Sequence, residues 1–450
     1  MPVPAIRFAA AHFTLAASVL AMPFAAAEAR TFNVADRGQL WDALSAATAG
    51  DTILLAPGDY GNFNFTKFKY SGGYVSIRSA NAASRARFGQ MSFGSAAGLS
   101  ITGIDAQSAA NPVVAISGEN VRFAGNRVRG GFPNRDAWDD AQGGVHVRFA
   151  KNVLVGSNDF EDLRVAVYIQ RSSDVRILHN SIGYVREGLN VAALAGGEIS
   201  NNHFHNFQPN YGKGEHPDAI QFWTNQETAG VTDVKIRNNF MQLGLNGAVH
   251  GMFIGSEVTG VYHRNLEFSG NVYWGSALHG ITMGNTIGAK IFNNVIVASH
   301  WADNNNSSLR TPDGRTGGAL QPQIRVSTIS QAEVVGNITM KGIGISADST
   351  GADNIDLYDT ERKIGESWES VFAGGRPTDR DPPLSAFLTL NPSSARTRGI
   401  GLLKTFPYGV VTLDPIKAES WAAGTDSATP GSILKPITGN LPALVRSLTN

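Results

Sequence analysis

Four polar residues share one local frame. His250-Gly251-Met252-Phe253-Ile254, His279-Gly280-Ile281-Thr282-Met283, Asp218-Ala219-Ile220-Gln221-Phe222 and Glu187-Gly188-Leu189-Asn190-Val191 each set a titratable side chain before a small residue and a short apolar run. If the four segments are equivalent strands of a stacked repeat, Glu187, Asp218, His250 and His279 form one column. Histidine titrates near neutrality and can take a proton without a large shift in pKa. Successive strands lie about 4.8 Å apart, so His250 and His279 could act on one substrate unit while Asp218 orients one of them.

Strand alternation places the residues three positions further on at the outside: Asn190, Gln221, Phe253 and Thr282, with Arg325 in a similar register. Gln221 and Arg325 can hold a carboxylate, and the guanidinium can do so bidentately. Glu187 and Asp218 together could instead hold Ca²⁺. Met252, Ile254, Ile281 and Met283 are expected in the core.

The frame that must position them is a repeat marked by asparagine. Asn126, Asn158, Asn180, Asn202, Asn239, Asn271, Asn294 and Asn337 recur at a basic step of about 22 residues with insertions, a solenoid period. The runs between them, such as Val175-Arg176-Ile177-Leu178, are short and rich in Val, Ile and Phe, which suits strands. One coil cannot bury its own inner face, but stacked coils bury a continuous one. Asparagine at a fixed corner tolerates a left-handed turn and can bond to its neighbour above. The expected fold is an all-β parallel β-helix.

Insertions at residues 130–142, 205–217 and 299–321 fall just before strands in the register of Asp218, so they should wall one edge of one face. Phe132, Trp138, Phe207, Tyr211 and Trp301 offer flat apolar platforms there, and Arg135, Lys213, His216, His300 and Arg310 offer donors. Tyr211 and Lys213 are candidate proton donors, and Lys213 and His216 candidate clamps, over the column.

The N-terminus reads as a secretory signal: Arg7, an apolar stretch, then Ala25-Ala26-Ala27 as a cleavage site, which implies a secreted or periplasmic protein. After Thr31-Phe32-Asn33-Val34, Asp36 and Gln39 form a capping box for a short helix with Leu40, Trp41 and Leu44 on one face, ending near Gly50. The 450 residues carry zero formal net charge with 16% charged residues, so nothing argues for nucleic acid. No apolar segment of spanning length follows the signal, so no membrane insertion is expected. Fifty glycines and no cysteine fit a turn-rich β-architecture without disulfides. The expected organisation is a signal peptide at 1–27, a catalytic β-helix at 28–345, and terminal coils with an irregular cap at 346–450, as a monomer.

Leu40 to Tyr60, with Leu-x-x-Ala-Leu and Gly-Asp-Thr-Ile-Leu-Leu-Ala-Pro-Gly-Asp-Tyr, and the asparagine-marked coils resemble the pectate-lyase-like superfamily of right-handed parallel β-helices, which includes secreted polysaccharide lyases and mannuronan C5-epimerases. His250 to Ser256 also looks like the Gly-His-Gly strand of polygalacturonase-type hydrolases, although their paired aspartates have no match between Asp218 and His250. The resemblance implies an acidic polysaccharide as substrate and β-elimination at a uronic acid. Removal of the weakly acidic proton beside the uronate carboxylate needs a base and a neutralising group. On this reading His250, His279, Lys213, Arg325 and Tyr211 are catalytic; His216, Asp218, Gln221, Asn190, Trp138, Trp301 and Arg135 bind substrate. The alternatives are a C5-epimerase, a glycoside hydrolase using Asp218 with Glu187 or Glu215, and a glycan-binding adhesin.

Overall fold

The computed structural model describes residues 28–210, 215, 217–243, 249–275, 277–298, 322–327, 329–357, 365–373 and 391. The signal segment, Tyr211, Lys213, His216, His300, Trp301, Arg310 and nearly all of the C-terminal segment lie outside the described residues.

The described chain is a parallel β-helix whose coils each pass through three faces. The first face carries the strands Gly143–Arg148, Asp218–Phe222, His250–Ile254, His279–Met283 and Gln323–Val326. Leu163–Leu178 and Val185–Ser200 run unbroken from the first face around the corner into the second, which joins both faces into one sheet. The third face is a separate sheet of eleven strands among the described residues. Every pairing is parallel, as stacked coils require.

Alternation fixes what lies inside. Ile220, Met252, Ile281 and Ile324 form one inward stack, and Phe222, Ile254, Met283 and Val326 the next. All are buried, as expected for Met252, Ile254, Ile281 and Met283. The N-terminal end is closed by the helix Arg37–Ala46, which buries Leu40, Ala43 and Leu44. Asp36 caps it as read from the sequence, its Oδ1 accepting from Gln39 N at 2.9 Å, while the return bond from Gln39 Oε1 goes to the N–H of Ala35, one residue before the cap, at 2.9 Å. The helix stops at Ala46 rather than near Gly50. Trp41 is 41% exposed and packs its ring edge on Phe68 instead of entering the core.

The asparagines form a buried ladder between the second and third faces. Asn202 is typical: Asn239 Oδ1 accepts from both its backbone N (3.1 Å) and its Nδ2 (2.9 Å), and its Nδ2 also donates to Ile177 O at 2.8 Å. The ladder runs from Asn126 through Asn337 to Asn354. One expectation is corrected. The left-handed residue of this corner is not the ladder asparagine but the one before it, as at Ser157, His179, Asn201, Asn238 and Asn293. The preceding residue turns the chain so that the asparagine amide can point inward and replace the missing backbone partners.

A second left-handed column escaped the sequence reading. Gly98, Asn120, Asn152, Asp174, Gly196, Asp233, Asn265 and Gly288 occupy equivalent positions at the start of the second face, all with positive φ. Those are the residue types that adopt this conformation at least cost.

Candidate active site

The first face brings the column together. Asp218 pairs in register with His250, and the neighbouring register pairs Leu189 with Ile220 and Met252 with Ile281, which sets Glu187 beside Asp218 and His279 beside His250. The next coil places Gln323 against His279. The outward row is likewise continuous: His146, Tyr168, Asn190, Gln221, Phe253, Thr282 and Arg325 are successive register partners.

Side-chain geometry separates the roles. Nδ1 of His250 lies 2.9 Å from Oδ1 of Asp218. A carboxylate only accepts, so the proton sits on Nδ1 and Nε2 is the basic nitrogen of the neutral ring. The His279 ring meets that of His250 edge-on, with centroids 4.6 Å apart, and its Nδ1 lies 2.8 Å from Thr282 Oγ1. Phe253 stands beside both rings, at 5.9 Å and 5.6 Å. The small residues of the frame are required by packing: a Cβ on Gly251 would lie 2.3 Å from Gly280 O, and one on Gly188 would lie 2.2 Å from Ala219 O.

Glu187 is held differently. Its Oε2 accepts from Asn190 Nδ2 at 2.7 Å, and burial pushes its pKa up, opposed by that hydrogen bond and by the charge of Arg164. Arg164 is thus a neighbour of the column that sequence reasoning missed, since it lies outside the repeated frame. Among the described residues no group of three or more His, Asp or Glu side chains is gathered closely enough to hold a metal ion. Glu187 and Asp218 supply two carboxylates, one bound to Asn190 and the other to His250.

The first insertion and the described part of the second pack together at one edge of the face, and the third, residues 299–321, lies outside the described residues. Residues 130–142 enter between the strands Arg127–Arg129 and Gly143–Arg148. The second insertion begins after His205, which still belongs to the strand His203–His205. The two are tied together through Gln208: its Oε1 accepts from Ala137 N (2.8 Å), its Nε2 donates to Arg135 O (2.9 Å), and its carbonyl accepts from Trp138 Nε1 (2.9 Å). Buried Arg186 bonds the base of both, donating to Asp140 O at 2.9 Å and pairing with Glu215 at 2.9 Å. Trp138 remains 58% exposed. Phe207, read as a platform, is instead fully buried and packs on Phe204. Arg135 turns toward Glu161 (3.5 Å) and the ring of Tyr184, away from the column.

The opposite edge also has a wall. Residues 223–231 and 255–262 project there and are locked by Thr224 N donating to Glu257 Oε2 at 2.6 Å and by Glu257 N donating to Thr224 Oγ1 at 2.9 Å. The column therefore lies on the first face between loops at both of its edges.

A family model described as a right handed beta helix region matches residues 52–214, in agreement with the right-handed parallel β-helix read from the sequence. Among solved structures, an alginate lyase from Paenibacillus sp. str. FPU-7 matches at 17% identity over 59% of this chain and 94% of that one, with a TM-score of 0.43. Another alginate lyase matches at 15% identity and a TM-score of 0.44, over 75% of this chain and about half (52%) of that one. A pectate lyase matches at 14% identity over 81% of this chain and 90% of that one, with a TM-score of 0.39. No curated protein matches the sequence.

Proposed function

We infer that this protein is a secreted lyase that cleaves an acidic polysaccharide by β-elimination at a uronic acid. The observation that carries the reading is the Asp218–His250 pair with the His279 ring one coil away, on a face whose outward row offers Asn190, Gln221 and Arg325 and which would serve as the substrate groove. In the proposed reaction His250 Nε2 removes the proton beside the carboxylate, and Asp218 stabilises the imidazolium that forms. The electron pair becomes the new carbon–carbon double bond, the glycosidic carbon–oxygen bond breaks, and His279 protonates the departing oxygen. Gln221 or Arg325, three coils apart on the outward row, holds the substrate carboxylate and stabilises the charge that accumulates on it. Lys213 and Tyr211 remain candidates for the same proton donation and His216 for a clamp.

The test is direct: purified protein is incubated with a panel of uronate polymers, and the ultraviolet absorbance of the unsaturated product is followed. A rise on any polymer supports the reading and names the substrate. If the absorbance stays flat on all of them, the reading fails.

One observation favours a second reading. Burial raises the pKa of Glu187, which adjoins Asp218 in the column, and two carboxyl groups in contrasting environments suit the acid and partner of a glycoside hydrolase. New reducing ends without ultraviolet absorbance would decide for it.

A further inference from the structure

The corner leading from the first face to the second requires a left-handed residue, and Phe149, Arg171 and Ala193 occupy it on successive coils with φ of 54°, 50° and 47°. The left-handed column of the second face uses Gly, Asn or Asp over eight coils and Gln331 on the ninth. A bulky aromatic residue is costly in this conformation, and an outlier of this kind marks a candidate functional position. Phe149 is also 60% exposed, so burial does not account for it. Guanidinium groups flank its ring: those of Arg148 and Arg171 each lie 5.7 Å from its centroid. Arg171 is held in place by buried Glu227, whose Oε2 accepts from Arg171 Nε at 2.8 Å. Beside this patch Tyr168, in the outward row of the groove, sits 6.1 Å from the ring of Trp223.

The geometry points to a second saccharide-binding subsite formed by Arg148, Phe149, Tyr168, Arg171 and Trp223, which takes an acidic sugar unit of the chain on the N-terminal side of Asp218. Aromatic faces pack against the apolar face of a sugar ring, and the guanidiniums match a carboxylate. The patch is continuous with the groove through Tyr168, two register steps from Gln221 by way of Asn190. A polymer would then lie along the solenoid axis. The acidic character of the ligand rests on the proposed function, while the site's existence rests on the strained, exposed Phe149 between two cations.

Binding of uronate trimers and hexamers is measured calorimetrically on the full chain carrying His250→Ala, with and without Phe149→Asn and Arg171→Gln. Asparagine suits the left-handed backbone, so Phe149→Asn should leave the melting temperature equal or higher. Hexamer affinity should fall on the order of tenfold for each substitution, with trimer affinity, set by the central column, unchanged. Equal hexamer affinity in all variants, or no hexamer binding to the unsubstituted subsite, would overturn the proposal. Hexamer binding that depends on Phe149 in a protein that produces no unsaturated product would sustain the subsite and sink the lyase reading alone.

Discussion

Asp218 and His250 face each other across adjacent coils, with Oδ1 of the acid 2.9 Å from Nδ1 of the imidazole and both side chains nearly buried. Acid and base come from segments 32 residues apart, and only the stacking register makes them neighbours. The carboxylate fixes the ring orientation and the tautomer, which leaves Nε2 as the proton acceptor.

Replacing the base should cost more than replacing its partner. His250→Ala is expected to lower kcat on the order of 10²–10⁴, the usual contribution of a positioned general base. Asp218→Asn should also lower kcat, because an amide can present its carbonyl or its NH₂ to Nδ1 and no longer enforces one tautomer. Circular dichroism of both variants should match the parent, since the inward stack is untouched.

Thr282 holds His279 through a 2.8 Å contact with Nδ1. Thr282→Val keeps the shape and removes the hydroxyl. Its kcat should fall by less than that of His279→Ala, by about tenfold for the loss of one orienting hydrogen bond of typical strength. Equal losses in the two variants would mean that the hydroxyl itself contacts the substrate.

Stability should depend on pH through Asp140, within the first insertion. Burial raises its pKa from 3.8 to about 6, against two hydrogen bonds from Gly131 N and Phe132 N. The folded state therefore keeps this proton longer than the unfolded chain does. The resulting stabilisation is full below about pH 4 and is lost as pH rises through about 6. Asp140→Asn should flatten that part of the melting-temperature profile. A variant whose profile between pH 4 and 7 matches that of the parent would show that Asp140 is not the group responsible.

Removing one rung of the asparagine ladder should destabilise the whole solenoid. Asn239 makes two donor contacts through Nδ2, to Asn271 and to Ile199 O, and accepts two from Asn202, all buried. Asn239→Ala strands several of these partners, at a cost of about 2–4 kcal/mol. Denaturant unfolding followed by circular dichroism would measure it.

The fold was legible because its constraints are periodic. The asparagine step, the short β-branched runs and the small residue after each column residue all repeat, and a repeat exposes its register without a structure. The Glu187–Asp218–His250–His279 column and the outward Asn190, Gln221, Phe253 and Thr282 follow from that register alone. What the sequence hid depends on side-chain direction or long-range closure. Arg186 reaches Asp140 and Glu215 from beside the column, and Gln208 joins segments some 70 residues apart. Phe207 could not be told from a surface platform, because a single aromatic residue in an insertion carries no periodicity. The left-handed column starting at Gly98 mixes Gly, Asn and Asp, so no one residue type marks it.

The most direct measurement is the ultraviolet absorbance released from a panel of uronate polymers by the parent protein and by His250→Ala at equal concentration. The account predicts a steady rise for the parent on at least one polymer and a rate lower by 10²-fold or more, in order of magnitude, for the variant. A flat trace for the parent, or equal rates for the two, would contradict it.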